Sequence, residues 1–258
     1  MNFTFYKYQG TGNDFIVLDN RNVTFPKNPA LIEKLCHRRF GVGADGLILL
    51  ENHEGYDFRM VYYNADGNES SMCGNGGRCT VAFAHHLGIF DEKTRFLAVD
   101  GPHEAEVIDG MVKLKMSDVD QISTCGEDAV LNTGSPHFVR YTETARNMDV
   151  FTEGRKIRNS DDFITEGINV NFVTQTGDRQ LFVRTYERGV EDETYSCGTG
   201  VTAAALTFMV KTGLSSVDIE TRGGRLSVSA VKTENGFTNI WLAGPAERVF
   251  KGELCIEN

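Results

Sequence analysis

The chain has 258 residues, 40% of them hydrophobic and 24% charged, and a formal net charge of −10. A chain of this length buries a core as one large domain or as two of about 130 residues each, and its composition excludes disordered and fibrous classes. The negative charge argues against nucleic acid and anionic membrane surfaces as partners and leaves small molecules as the expected ligands.

The opening MNFTFYKYQG has no basic segment followed by an apolar one, and no later stretch approaches the ~18–20 apolar residues of a spanning helix. A cytoplasmic location is therefore expected, where the cysteines at 36, 73, 79, 125, 197 and 255 stay reduced. PALIEKLC reads as a helix carrying Cys36. GVGADG at 41–46 matches a dinucleotide-binding glycine pattern, but it follows a helix-like stretch and opens the strand-like LILLE, the reverse of the required order. DFRMVYYNADG is an alternating strand ending in a glycine turn, and MCGNGGRC places Cys73 directly before a glycine-rich helix start. That helix closes at Gly88, and the strand-like RFLAVD and EAEVIDGMVKLKM follow.

From about residue 118 the same order recurs. Ser135 lies 62 positions before Cys197 as Asn13 lies 60 before Cys73, and Asp45 and Asn169 each lie 28 positions upstream of their cysteine. Asn64 and Glu187 precede theirs by nine and ten. SCGTG then opens a second small-residue helix that closes at Gly213, with SVDIET and RLSVSAVKTENGFTNIWLA as its strands. The expected fold class is α+β, with two pseudo-symmetric domains, each a mixed or antiparallel sheet wrapped around a central helix. The expected halves are 1–117 carrying Cys73, with 249–258 free to return to it, and 118–248 carrying Cys197.

Cys36, Cys125 and Cys255 read as small buried hydrophobes, and Cys79 as a residue packed on its helix. Cys73 and Cys197 are different, because a polar glycine turn at a helix start favours the reactive thiolate. Zinc held by Cys73, Cys79, His85 and His86 is disfavoured: the cysteine spacing is wide, the adjacent histidines diverge and the second half has no matching set. A cysteine hydrolase with His137 as base leaves the second cysteine without a use. Two thiols on opposite faces of one carbon suit stereoinversion, one removing a proton next to a carboxylate and the other returning one. Gly74-Asn75 and Gly198-Thr199, at two helix starts, would offer backbone N–H groups to the resulting anion, so no metal or other cofactor is needed.

GTGNDFIVLD, RRFGVGADGLILL, NADGNESSMCGNGGRC, YERGVEDETYSCGTG and GPAERVF together resemble diaminopimelate epimerase over essentially the whole chain. The resemblance implies a cofactor-independent isomerase, expected as a homodimer, that interconverts LL- and meso-diaminopimelate for lysine and peptidoglycan synthesis. It implies Cys73 and Cys197 as the two bases, supported by His137 and Glu187, with Gly74, Asn75, Gly198 and Thr199 on the reacting carboxylate. Asn13, Asn64, Asn169, Glu187 and Arg188 would hold the amino and distal carboxylate groups. Ser135 departs from the asparagine common in the family, and Asp45 from a glutamine seen in some members, so neither joins the expected site. The alternatives are a proline or hydroxyproline racemase, whose substrate would not need Arg188 and three asparagines, and an inactive binding protein, which would not need both thiols.

Overall fold

The computed structural model describes residues 1–256 and divides the chain into two compact units. The first comprises residues 1–114 and the chain from Pro245 onward; the second is Lys115–Gly244. Along the chain the first unit contains β1 (Asn2–Gly10), β2 (Asn13–Asp19), α1 (Pro29–Cys36), β3 (Gly46–Glu51), β4 (Phe58–Asn64), β5 (Glu69–Ser70) and α2 (Gly74–His86). It continues with β6 (Lys93–Ala98), β7 (Gly101–Ile108) and β8 (Met111–Lys115), which ends at the boundary. The second unit holds β9 (Ile122–Cys125), β10 (Asp128–Asn132), β11 (Pro136–Tyr141), α3 (Val150–Arg158), β12 (Asn169–Gly177), β13 (Gln180–Glu187) and β14 (Asp192–Thr194). It ends with α4 (Gly198–Thr212), β15 (Ser216–Thr221), β16 (Gly224–Lys232) and β17 (Phe237–Gly244). β18 (Glu247–Cys255) belongs to the first unit and pairs antiparallel with β1. Of the segment 249–258, Glu257 and Asn258 lie outside the described residues.

The two units share one topology. β2 runs parallel to β3 and antiparallel to β1, as β11 runs parallel to β12 and antiparallel to β10. β4 pairs antiparallel with β3 and β5 and parallel with β6, and β13 does the same with β12, β14 and β15. Antiparallel β6–β7–β8 and β15–β16–β17 complete the match. The expected α+β repeat is this one.

Each unit wraps its strands around one helix. α2 packs against β1, β2, β3, β4, β7 and β18, with the Phe83 ring 5.0 Å from Tyr6 and 5.9 Å from Tyr8. α4 buries Val201, the run Ala203–Leu206, Phe208 and Met209 against Val139, Val173, Leu181, Val217 and Val228. A fully enclosed helix has no polar face to keep, which is why VTAAALTFM carries no amphipathic stripe. α4 ends at Gly213, whose φ of 76° lets its N–H reach the Met209 carbonyl. β3 is buried along its whole length because α1 covers its other face through Ile32, Leu35 and Cys36. α1 starts with Asn28 accepting from the Leu31 N–H and with Pro29 in the first turn.

α3 covers the equivalent face of the second unit, with Val150 packed among Phe138, Val170, Phe172, Phe182 and Tyr186. Its Gly154 touches Tyr186: a Cβ there would lie 2.3 Å from Tyr186 Cβ and 2.6 Å from Cγ. Gly154→Ala should therefore destabilise by about 1–3 kcal/mol through overpacking, even though alanine is the better helix former. A urea midpoint that stays the same or rises would show that α3 can shift away. Among the described residues no helix is long and apolar enough to cross a membrane.

Candidate active site

In the first unit, strand register gathers the polar ends. Phe15 faces Gly46 across the parallel β2–β3 pair and Asn64 faces Gly46 across β3–β4, so Asn13, Asp45 and Asn64 share one end of these strands. Asn13 Nδ2 donates to Asp45 Oδ2 at 2.6 Å, and Arg38 Nη2 donates to Asp45 Oδ1 at 2.7 Å. Burial would raise the Asp14 carboxyl, but hydrogen bonds from Arg38 and Lys7 outweigh it and hold the group down at about 2. Asp45 is thus tied to Asn13 and Arg38, a role in fastening the strand ends that its sequence context did not reveal.

The same end of the unit carries the start of α2. Cys73 is its N-cap, with extended backbone (φ −99°, ψ 150°), and its Sγ accepts from the Gly76 N–H at 3.2 Å. A thiol fills the place usually taken by a serine or aspartate oxygen. Sγ also lies 3.9 Å from Asn13 Oδ1, joining the helix cap to the strand ends. A Cβ on Gly76 would come 3.2 Å from Sγ, so glycine keeps room for the sulfur. Gly74 and Asn75, both buried, form the first turn.

Beneath that turn lies Arg78, fully buried. Its Nη1 donates to the Gly74 carbonyl at 3.1 Å and its Nη2 to Asn75 Oδ1 at 3.0 Å and Thr11 Oγ1 at 3.1 Å, while Nε reaches the Pro245 carbonyl at 3.5 Å. Every one of these acceptors is neutral, so burial lowers the guanidinium pKa, partly opposed by the neighbouring Cys79 and Cys73 sulfurs.

The second unit repeats the arrangement with other side chains. His137 faces Asn169 across β11–β12, and Glu187 ends β13 beside them. Asn169 Nδ2 donates to Ser135 Oγ at 2.8 Å and to the Pro136 carbonyl at 2.9 Å, while its Oδ1 accepts the Arg188 N–H at 2.9 Å. Asn169 therefore clamps the 134–136 turn to the turn after β13. Arg188 is exposed, with Nη1 donating to the Glu166 carbonyl at 2.9 Å. Burial raises the Glu187 carboxyl above its ordinary value, with Thr194 pulling the other way. Cys197 caps α4; its Sγ lies 3.4 Å from Thr199 Oγ1, and the Thr199 carbonyl accepts from Thr133 Oγ1 at 2.9 Å.

His137 is fully buried, and burial together with the nearby Arg188 charge lowers its pKa to about 3, so the ring is neutral. Its Nδ1 lies 3.1 Å from Asn171 Nδ2. Asn171 also donates to the Phe138 carbonyl at 2.9 Å and accepts from Thr185 Oγ1 at 2.9 Å.

The expected residues thus fall into two groups: Asn13, Asn64, Cys73, Gly74 and Asn75 at one end of the first unit, and His137, Asn169, Glu187, Arg188, Cys197, Gly198 and Thr199 at the matching end of the second. Thr11, Arg78, Asn171 and Thr185 join these groups without having been singled out for a role. For Arg78 and Thr185 the signal was a polar side chain at a position where helix or strand periodicity calls for an apolar one, whereas Thr11 lies in the turn after β1 and Asn171 continues the polar–apolar alternation of its strand. Cys36 and Cys79 are buried, and burial pushes both thiols up, that of Cys36 to about 12. The burial expected for Cys255 does not occur: strand alternation turns Leu254 inward and leaves Cys255 exposed. Cys125 is half-buried.

The family model for diaminopimelate epimerase matches residues 5–126 and again residues 129–249. The diaminopimelate epimerase of Flavobacterium psychrophilum is 55% identical over 250 residues, covering 95% of this chain and 98% of that protein. That of Chlorobaculum tepidum is 44% identical, covering 96% and 99%. Among solved structures, a phenazine biosynthesis protein of the PhzF family from Bacillus anthracis superposes with a TM-score of 0.75 at 16% identity, covering 99% of this chain and all of that one. A probable proline racemase from Agrobacterium radiobacter, with bound carbonate, gives 0.70 at 14% identity, covering 99% and 93%. These structures share the fold, while the sequence matches extend over both units, and on them the chain belongs to the diaminopimelate epimerase family.

Proposed function

We propose that the protein interconverts LL- and meso-diaminopimelate by a two-base mechanism in which Cys73 and Cys197 exchange roles as acid and base. The observation that carries this reading is the repeated cysteine cap: in each unit a thiol stands at the first turn of an enclosed helix, beside the polar ends of three strands. A helix's first-turn amides have no intrahelical acceptor and carry the positive end of its dipole, which suits them to a carboxylate gaining charge. One thiolate takes the α-proton, the electron pair delocalises onto that carboxylate, and the opposing thiol delivers a proton to the other face. Gly74, Asn75, Gly198 and Thr199 hold the reacting carboxylate, and His137 and Glu187 assist the thiols. Asn13, Asn64, Asn169, Glu187 and Arg188 receive the amino and distal carboxylate groups. Glu187 suits an ammonium because a carboxylate with its hydration reduced gains most from a cationic partner. Arg188 can fork onto a carboxylate. The reaction needs no metal or pyridoxal phosphate. A reducing cytoplasm would keep both thiols active, and the family resemblance points to a homodimer.

Incubation of the purified protein with LL-diaminopimelate in D₂O tests this. The meso product should carry one deuterium at the inverted carbon while unreacted substrate stays unlabelled early in the time course, and L-proline should not exchange. Racemisation of proline without turnover of diaminopimelate would favour a racemase, and no exchange with either would favour a binding protein. Arg188→Ala should weaken the preference for diaminopimelate over a monocarboxylate amino acid by about 2–4 kcal/mol of transition-state binding, the scale of a charge pair desolvated when the substrate is enclosed. An unchanged ratio of the two kcat/KM values would remove Arg188 from the distal site.

A further inference from the structure

Asn171 lies on β12 with its side chain fully buried, two residues beyond Asn169, and neither composition nor the cysteine repeat assigns it a task. Its three hydrogen bonds determine more than its own position. The Phe138 carbonyl can only accept, so the amide atom facing it at 2.9 Å is the NH₂ group and the oxygen is the atom facing Thr185 Oγ1. That orientation therefore follows from the partners. The same NH₂ can only donate, so His137 Nδ1 at 3.1 Å must be an acceptor, and in a neutral ring the proton then sits on Nε2. Nε2 is buried and has no hydrogen-bond partner among the described residues. A buried N–H without an acceptor is destabilising, and binding an acceptor would relieve that cost.

We propose that Asn171 is a positioning residue that locks His137 as the Nε2–H tautomer, so that the imidazole serves the reaction as a neutral hydrogen-bond donor to an anion rather than as a proton acceptor. The anion, a thiolate or the substrate's carboxylate, follows from the proposed function and rests on that reading; the tautomer does not. The surroundings of Asn171 are built for this. A Cβ on Gly200, in the first turn of α4, would come within 2.3 Å of Asn171 Oδ1, so only glycine there leaves space for the amide next to the Cys197 helix. Thr185, on β13, fastens the oxygen with its hydroxyl at 2.9 Å. The low pKa of His137 agrees with a ring that stays neutral throughout the working range.

Long-range ¹H–¹⁵N correlation of ¹⁵N-histidine-labelled protein tests the tautomer directly, with only six histidines in the chain and the His137 signals identified by their loss in His137→Gln. The wild-type ring should show an acceptor-type Nδ1 and a protonated Nε2. In Asn171→Asp the new carboxylate can only accept, so the proton should appear on Nδ1, and kcat should fall about 10²-fold, the usual cost of a lost anion donor, with KM little changed. In Thr185→Val, which leaves the NH₂ contacts in place, Nε2–H should persist. A wild-type ring protonated at Nδ1, or an Asn171→Asp ring still protonated only at Nε2, would overturn the proposal. So would a tautomer change in Asn171→Asp that left kcat intact. Should Asn171→Asp fail to fold, the wild-type and Thr185→Val spectra still decide the tautomer. Protein that shows the Nε2–H form but does not epimerise diaminopimelate would sink the proposed function and leave the assignment of the tautomer standing.

Discussion

Cys73→Ala and Cys197→Ala should each lower epimerisation by ~10²–10⁴-fold, because in the proposed mechanism each thiol serves one face of the α-carbon and acid–base help of that size is lost with it. The two variants should be alike in activity and unlike in stability. Cys73 Sγ accepts the Gly76 N–H, so its removal takes a cap from α2 and should cost about 1 kcal/mol. Cys197 has no side-chain hydrogen bond to the first-turn amides of α4, so its alanine variant should lose little helix stability from capping. Each variant keeps one thiol and should still exchange the α-hydrogen of the stereoisomer that presents it to that thiol, without inversion. Rates of inversion and of deuterium exchange, followed separately from each isomer, distinguish the two outcomes. If Cys197→Ala kept more than about a tenth of the inversion rate, the two-base mechanism would be wrong.

The largest stability effect should come from Arg78. Its guanidinium bonds to the Gly74 carbonyl, Asn75 Oδ1 and Thr11 Oγ1 at 3.0–3.1 Å with no water-facing surface. Burying a cation costs several kcal/mol, and no carboxylate pairs with this one among the described residues, so relief of that cost favours a neutral replacement. Against it stand the weakened pairing of these acceptors, of which Asn75 Oδ1 keeps the Thr11 hydroxyl at 3.3 Å, at about 1–3 kcal/mol, and the cavity left by a long side chain at about 3–5 kcal/mol. The second sum is larger, and Arg78→Ala should destabilise by about 3–5 kcal/mol. Arg78→Met fills most of the space and should recover part of the loss. Urea unfolding of both variants checks this; an alanine variant within about 1 kcal/mol of wild type would mean that the acceptors re-pair among themselves.

The repeat was legible because its landmarks are residues whose chemistry is local. Glycine turns, a cysteine before a helix and alternating strands can be recognised without knowing what they pack against. The enclosed helices were visible too, since an apolar run such as VTAAALTFM has only one comfortable environment. Asn171 and Arg78 were not legible in the same way. Asn171 sits in NVNFV, where polar–apolar alternation reads the amide as outward-facing although it is buried, and its purpose depends on Phe138, His137 and Thr185, each 14 to 34 residues away. Arg78 stands within the cysteine motif, but its partner Thr11 is 67 residues upstream and Pro245 is 167 downstream. The burial expected for Cys255 failed for a smaller reason: whether a terminal strand residue points in or out depends on register, and one step exchanges the faces.

β18 supplies the outer neighbour of β1, and Thr4 meets Glu253 across 249 residues of chain. Until that partner is synthesised, β1 keeps one row of backbone groups unpaired, an open strand edge of the kind that recruits foreign chains. The intervening unit, Lys115–Gly244, has all its own strands in hand before the ribosome reaches Glu247. The half that emerges first is consequently the half that closes last, and its folding waits on the slowest kind of contact, one between segments far apart in sequence.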